Sequence, residues 1–277
     1  MPCACDPIGL ASGAGMTEKH LLIDAPTAYL FDAGGLLADE VDRLRRSPSV
    51  LWLYEHTGDA RAEALGPVMV AATPDVVAVG ASVSQDADRN WAISALCAQE
   101  SFERLGRHIR TLRQIHTQDG QRYYWRFADS RCLTAMWKQL DKRQQLGVLG
   151  PINRWQFHAR NGRPVDLGSP INHVLQSAGI AQGALRLSDQ QLSGLLDAVW
   201  PDQLLASVVE QHPGALNHLN PFDRHVHAQA VCDWLREAGE ERYPVQQSLM
   251  LEVLSVAQPN WDTTQLHEVL ARARQGT

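Results

Sequence analysis

The chain has 277 residues, 44% hydrophobic and 20% charged, which suits one substantial core or two lobes and excludes a largely disordered protein. A formal charge of -6 and a pI near 6.0 argue against a general nucleic-acid binder, which carries a basic excess to neutralise phosphates. The five cysteines, Cys3, Cys5, Cys97, Cys132 and Cys232, are odd in number and scattered, so neither a disulfide framework nor a zinc pattern is expected, and the cytoplasm is the default compartment.

Residues 1–20 read as a flexible tail, because they lack the basic and apolar regions of a secretory or lipoprotein signal. No later window approaches the roughly eighteen apolar residues of a membrane span. From about Leu21, short apolar runs alternate with amphipathic stretches, as in strands interleaved with helices. LLIDAPTAYLFDAG is predicted extended, and GLLADEVDRLRR helical with Leu36, Leu37, Val41 and Leu44 inward. VLWLYE is a predicted strand and DARAEAL one or two helical turns. GPVMVAAT starts a further strand after a Gly-Pro break, and NWAISALCAQ continues the sheet.

Ser101 is placed to cap FERLGRHIRTL, in which Phe102, Leu105, Ile109 and Leu112 recur at core spacing. Asp119-Gly120 supplies a hairpin turn. In the following RYYWRFADSRCLTAMW the period changes. Tyr123, Trp125 and Phe127 fall on one face of a predicted strand, with Arg122, Tyr124 and Arg126 on the other. Asp129 then caps a helix carrying Leu133, Met136, Trp137 and Leu140.

Around GPINRWQFHARNGRPVDLGSP the pattern dissolves into Gly, Pro and Asn. This places a connecting segment at 158–185 between an α/β lobe at 21–157 and a helical lobe at 186–277. In the latter, Ser188 and Gln191 form a capping box with Leu187 and Leu192 as a staple, and Leu192, Leu195, Leu196 and Val199 line one side. Pro201 restarts a helix carrying Leu204, Leu205, Val208 and Val209. Three more helices are predicted at roughly His225 to Ala238, Val245 to Ala257 and Thr263 to Arg274, the last with Asp262 as cap and Trp261 and Leu266 as staple. The expected fold class is therefore α+β, an N-terminal α/β lobe with a mixed sheet followed by an all-α lobe.

Candidate chemistry is thin. His212, His218, Asp223, His225 and His227 crowd one stretch, but His225 and His227 are two apart and leave a helix on different sides, which favours a polar loop over a metal site. Gly34-Gly35 after AYLFDA suggests a phosphate-cradling turn, yet it lacks the ending of a P-loop and the third glycine of a dinucleotide fold. Ser82 in GASVS misses the last glycine of a nucleophile elbow and reads as a loop serine. Arg104, Arg107, Arg110 and Arg113 read as a solvated face, with an acidic partner surface as the competing reading. The paired acids Asp39 with Glu40, and Glu240 with Glu241, read as solubilising charge. Cys97 and Cys132 sit among apolar residues as small hydrophobes. No catalytic residue, cofactor site or metal site is assigned.

Read in order, AYLFDAG, LYE at Leu53 to Glu55, LGPVMV at Leu65 to Val70, WAISALCAQESFERLGRHIRTLRQI, YYWRFADSRCL and LGPINRW resemble the adaptor-chaperone family of bacterial type VI secretion systems, known as domain of unknown function 4123. The resemblance runs from about Leu21 to Trp155. Ser130 stands where that family commonly has proline. The resemblance implies a cytosolic adaptor without chemistry of its own, which binds one toxic effector and delivers it to the VgrG spike directly or through the effector. No nucleic acid and no membrane are implied as partners. Asp32, Glu55, Gly66, Pro67, Arg126, Asp129 and Arg131 match the family's motifs and are expected to be structural. The competing functional reading is a small-molecule hydrolase or nucleotide-binding enzyme using Gly34-Gly35 or Ser82.

Overall fold

The computed structural model describes residues 26–55, 58–168, 185–258, 261 and 263–275. The opening tail, Cys3, Cys5 and the Asp262 cap lie outside them. Among the described residues no helix is long and apolar enough to cross a membrane.

The chain first builds strand β1 (Ala28–Asp32), a 3-10 turn (Ala33–Gly35) and helix α1 (Ala38–Arg45), then β2 (Val50–Trp52), α2 (Ala60–Leu65) and β3 (Pro67–Ala71). Helix α3 (Pro74–Gln85), β4 (Ile93–Ala98) and α4 (Phe102–Thr111) follow. After the hairpin β5 (Gln114–His116) and β6 (Arg122–Tyr124) come α5 (Ser130–Gln139) and α6 (Lys142–Leu149). β7 (Ile152–His158) and β8 (Pro164–Asp166) close the main sheet, whose order is β2-β3-β1-β4-β7-β8.

Every pairing in that sheet is antiparallel. The mixed pairing lies in a smaller sheet, where β5 runs antiparallel to β6 and parallel to β9 (Leu185–Arg186). The main sheet is covered on both faces, so its central strand β1 is buried at all five positions. Ala28 and Leu30 point to a core shared with α4 and α5 through Leu105, Ile109, Leu133 and Met136. Tyr29 and Phe31 point to the opposite core, with Leu44 of α1 and Val76, Val79 and Val83 of α3.

Helices α7 (Asp189–Gln211), α8 (Pro221–Ala238), α9 (Tyr243–Val256) and α10 (Thr263–Gln275) form the C-terminal part around Leu204, Val208, Val231, Leu235, Met250 and Val253. The architecture is α+β, with sheets in the N-terminal part and helices in the C-terminal part, as the hydrophobic periods predict.

Several local expectations are corrected. PDVVAVGASVSQ, whose Ser82 reads as a loop serine, forms α3 although its valines favour strands. Val76, Val79 and Val83 share its buried face, so packing overrides propensity. The stretch around 152–166, expected to dissolve, contains the longest strand of the sheet, in which Trp155 and Phe157 are buried against β4. β6 ends at Tyr124, before the Trp125 amide donates to the Arg113 carbonyl (3.0 Å). Trp125 and Phe127 are buried while Tyr123 is 49% exposed, so the three do not share a face. Leu37 precedes α1 and is exposed. Pro201 lies inside the continuous helix α7, where it removes the amide donor that the Asp197 carbonyl would otherwise receive.

Candidate functional site

Asp32 ends β1 opposite Pro67 of β3 and has no exposed surface. Its Oδ1 accepts a hydrogen bond from the Gly34 amide (3.0 Å), which sets the 3-10 turn. Arg126 reaches it from the segment between β6 and α5. Nε donates to Oδ2 (3.1 Å) and Nη2 to Oδ1 (2.8 Å), a two-point fork. Burial lifts the Asp32 carboxyl above its ordinary range, and Arg126 pulls against that shift. Burial acts to lower the Arg126 pKa, but the bonds and charge of Asp32 outweigh it, so the guanidinium keeps its proton.

Asp129, 1% exposed, caps α5 by accepting from the Arg131 amide (2.9 Å). The Arg131 side chain folds back on the same carboxylate, Nε to Oδ1 at 2.9 Å and Nη2 to Oδ2 at 2.7 Å. Arg126 Nη2 lies 3.8 Å from Asp129 Oδ2, which links the two ion pairs. Both guanidinium groups lie over the Trp91 ring, at 5.9 Å for Arg126 and 3.8 Å for Arg131. Beside them Tyr54 donates from its hydroxyl to the Trp125 carbonyl (2.5 Å). The result is a brace joining the end of β1, the turn before β4 and the start of α5.

The brace brings together Asp32, Arg126, Asp129 and Arg131. Gly66 and Pro67 adjoin it, because the Ala33 amide donates to the Gly66 carbonyl (3.2 Å) and the Leu53 amide to the Pro67 carbonyl (3.0 Å). Glu55 lies at an exposed turn after β2, its amide donating to the Trp52 carbonyl (3.3 Å). Gly35 packs so closely that a Cβ there would sit 2.4 Å from that of Ala92 and 3.0 Å from the Trp91 ring. Trp91 was assigned only to a strand by sequence reading. Its signal, an aromatic residue able to accept arginine stacking, gives no spacing by which to find its partners.

Two readings of polar residues change. Glu40, expected as solubilising charge, is 3% exposed and accepts from the Leu37 amide (2.8 Å), Arg89 Nη1 (2.7 Å) and the Ser82 hydroxyl (3.3 Å). Ser82, expected in a loop, lies in α3 and tethers it to α1 through that bond. The correction has one cause: α3 and the turn after it place Ser82 and Arg89 over the start of α1, a contact between segments distant in the chain. Asp39 is exposed, as is Glu241, while Arg242 beside Glu240 holds the Glu240 carboxyl down to about 2.

The histidine stretch disperses into structural bonds. His218 Nε2 lies 3.1 Å from the Ala257 carbonyl and His227 Nε2 lies 3.2 Å from that of Gln258. His225 Nδ1 donates to Asp202 Oδ1 (3.0 Å), Asp223 accepts from its cap Asn220 (2.7 Å), and His212 is exposed. No group of three His, Cys, Asp or Glu converges to hold a metal among the described residues. Arg104 and Arg107 are exposed, Arg104 pairing with Glu100 (3.0 Å), while Arg110 and Arg113 are half-buried. Burial pushes the Cys132 thiol up to about 12 and raises that of Cys97, which leaves little thiolate at neutral pH.

Next to the brace a cleft of about 280 Å³ separates the Asp88 to Trp91 turn and Arg131 from α7 and α8. Asp202 of α7 binds Arg160, from the turn between β7 and β8, as well as His225 of α8. Burial alone would push its carboxyl up, but the His225 bond and the Arg160 charge outweigh it and hold it below the ordinary value.

Fold and brace together define an α+β protein whose polar groups at the end of the central strand cross-link strands and helix. Residues 29–146, which include the whole brace, match a family model described as "Domain of unknown function (DUF4123)". No match is found among curated proteins or among solved structures.

Proposed function

We propose that this chain is an adaptor chaperone of a bacterial type VI secretion system, which binds one toxic effector in the cytoplasm and helps load it onto the VgrG spike. The observation that carries this reading is that the DUF4123 match and the motif residues coincide in a brace. Asp32, Arg126, Asp129 and Arg131 bond one another at the junction of strand and helix, a role that shapes a surface for binding. The helical part leaves the apolar side chains Leu196, Val209, Phe222 and Val226 exposed, surface that a partner could cover.

The enzyme reading draws no support from its two starting points. The Gly34 amide is already taken by Asp32, Gly35 is packed on Ala92 and Trp91, and Ser82 is bonded to Glu40 within a helix. Co-expression with the product of the neighbouring effector gene, followed by affinity capture, is expected to return a stable complex. Capture of nothing, with both proteins folded, rejects the proposal.

A further inference from the structure

The cleft beside the brace is walled by both parts of the molecule. Trp91 and Arg131 stand on the sheet side, Arg160 on the β7–β8 turn, and Leu205, Val209 and Arg224 on the helical side. We infer that this cleft receives a segment of the partner protein that presents a carboxylate beside an apolar side chain, the carboxylate engaging Arg224. The inference rests on the adaptor reading and names the chemistry by which the partner is held.

Arg224 differs from the other two arginines. Arg131 is matched by Asp129 and Arg160 by Asp202. Arg224 donates from Nε to the Leu216 and Leu219 carbonyls, both at 2.9 Å, and makes no ion pair with a carboxylate among the described residues. Two neutral acceptors thus fix the guanidinium in place while its charge stays unmatched. Its terminal amino groups remain for a two-point contact with a carboxylate, and a pre-oriented side chain loses little freedom when that contact forms. Asp88, exposed, is an acid of the lining with no cationic partner among the described residues. Selectivity therefore comes from where Arg224 is held and not from net charge.

Beside the polar Asn90, Asp202 and His225, the lining has apolar members in Trp91, Leu205, Ala206, Val209 and Pro221. Leu205 and Val209 are one helical turn apart on α7, and Val209 is 41% exposed. Phe222 and Val226 of α8 are also exposed, at 39% and 40%. At about 280 Å³ the cleft falls just below the roughly 300–1,000 Å³ of small-molecule sites and suits one or two inserted side chains.

The test uses the full chain and two variants, Arg224→Glu and Val209→Asp, with Arg107→Glu on α4 as a control. Each is first checked for folding by its melting temperature. Capture of the neighbouring-gene effector is measured for all four proteins, and binding of a labelled alternating Asp-Leu peptide and of its Asn-Leu counterpart by fluorescence anisotropy. The expected result is effector capture by the full chain and the control, a loss of about tenfold or more in both cleft variants, and preference for the Asp-Leu peptide. Effector capture unchanged in both folded cleft variants overturns the inference while the adaptor reading stands. If Arg224→Glu fails to fold, Val209→Asp decides. If the full chain captures no effector, the adaptor reading fails separately, and equal binding of the two peptides, or none, overturns the carboxylate site.

Discussion

Asp32 has no exposed surface, although it is a carboxyl group at the end of the central strand. Such a group is tolerated because Arg126 holds both oxygens, and removing one partner of a buried pair costs more than the pair contributes. Arg126→Ala is expected to lower stability by about 2–3 kcal/mol in urea unfolding, a figure reduced from that of a fully buried pair because Arg126 is 47% exposed. The Asp32 pKa already lies above its unfolded value, and loss of Arg126 raises it further. The folded variant then binds more protons than the unfolded chain, so its deficit relative to the wild type should shrink as the pH falls from about 7 towards 4. A deficit independent of pH would mean that Asp32 is not the group left unpaired.

At the level of elements, α5 depends on one residue for three hydrogen bonds, all from Arg131. Asp129→Ala removes the cap of the helix and the anchor of Arg131, and is expected to cost about 2 kcal/mol or more, read from chemical denaturation. Asp129→Asn keeps an acceptor for the Arg131 amide and should recover part of the loss. This cap was legible in the sequence, as were Ser101 before α4 and the Ser188–Gln191 box before α7, because capping is local chemistry at fixed offsets. α3 and β7 were not legible. The valines of α3 and the glycine- and proline-rich flanks of β7 point locally away from the structure formed, and burial against Tyr29 or β4 decides the outcome. The same limit hid Trp91 and Glu40, whose partners lie far along the chain.

Across the whole molecule, two histidines are held neutral where elements meet. His108 of α4 contacts the Val148 carbonyl of α6 (2.9 Å), and His158 at the end of β7 contacts the Ser84 hydroxyl of α3 (2.7 Å). Burial depresses both pKa values below 6.5. Below about pH 6.5 the unfolded chain takes up protons that the folded chain refuses, so stability falls on acidification through that range. The melting temperature should drop between about pH 7.5 and 5.5, and His108→Gln should flatten the slope. A wild-type profile flat across that range would contradict the burial argument.

Helix α7 belongs to two cores at once. Leu195 packs with the sheet, Leu204 and Val208 pack with the helices, and Pro201 lies between them. At roughly 1.5 Å per residue its 23 residues reach about 35 Å, enough to act as a splint across the molecule. A load applied at either end is passed along this rod to the other, so a pull on the helices reaches the sheet as well.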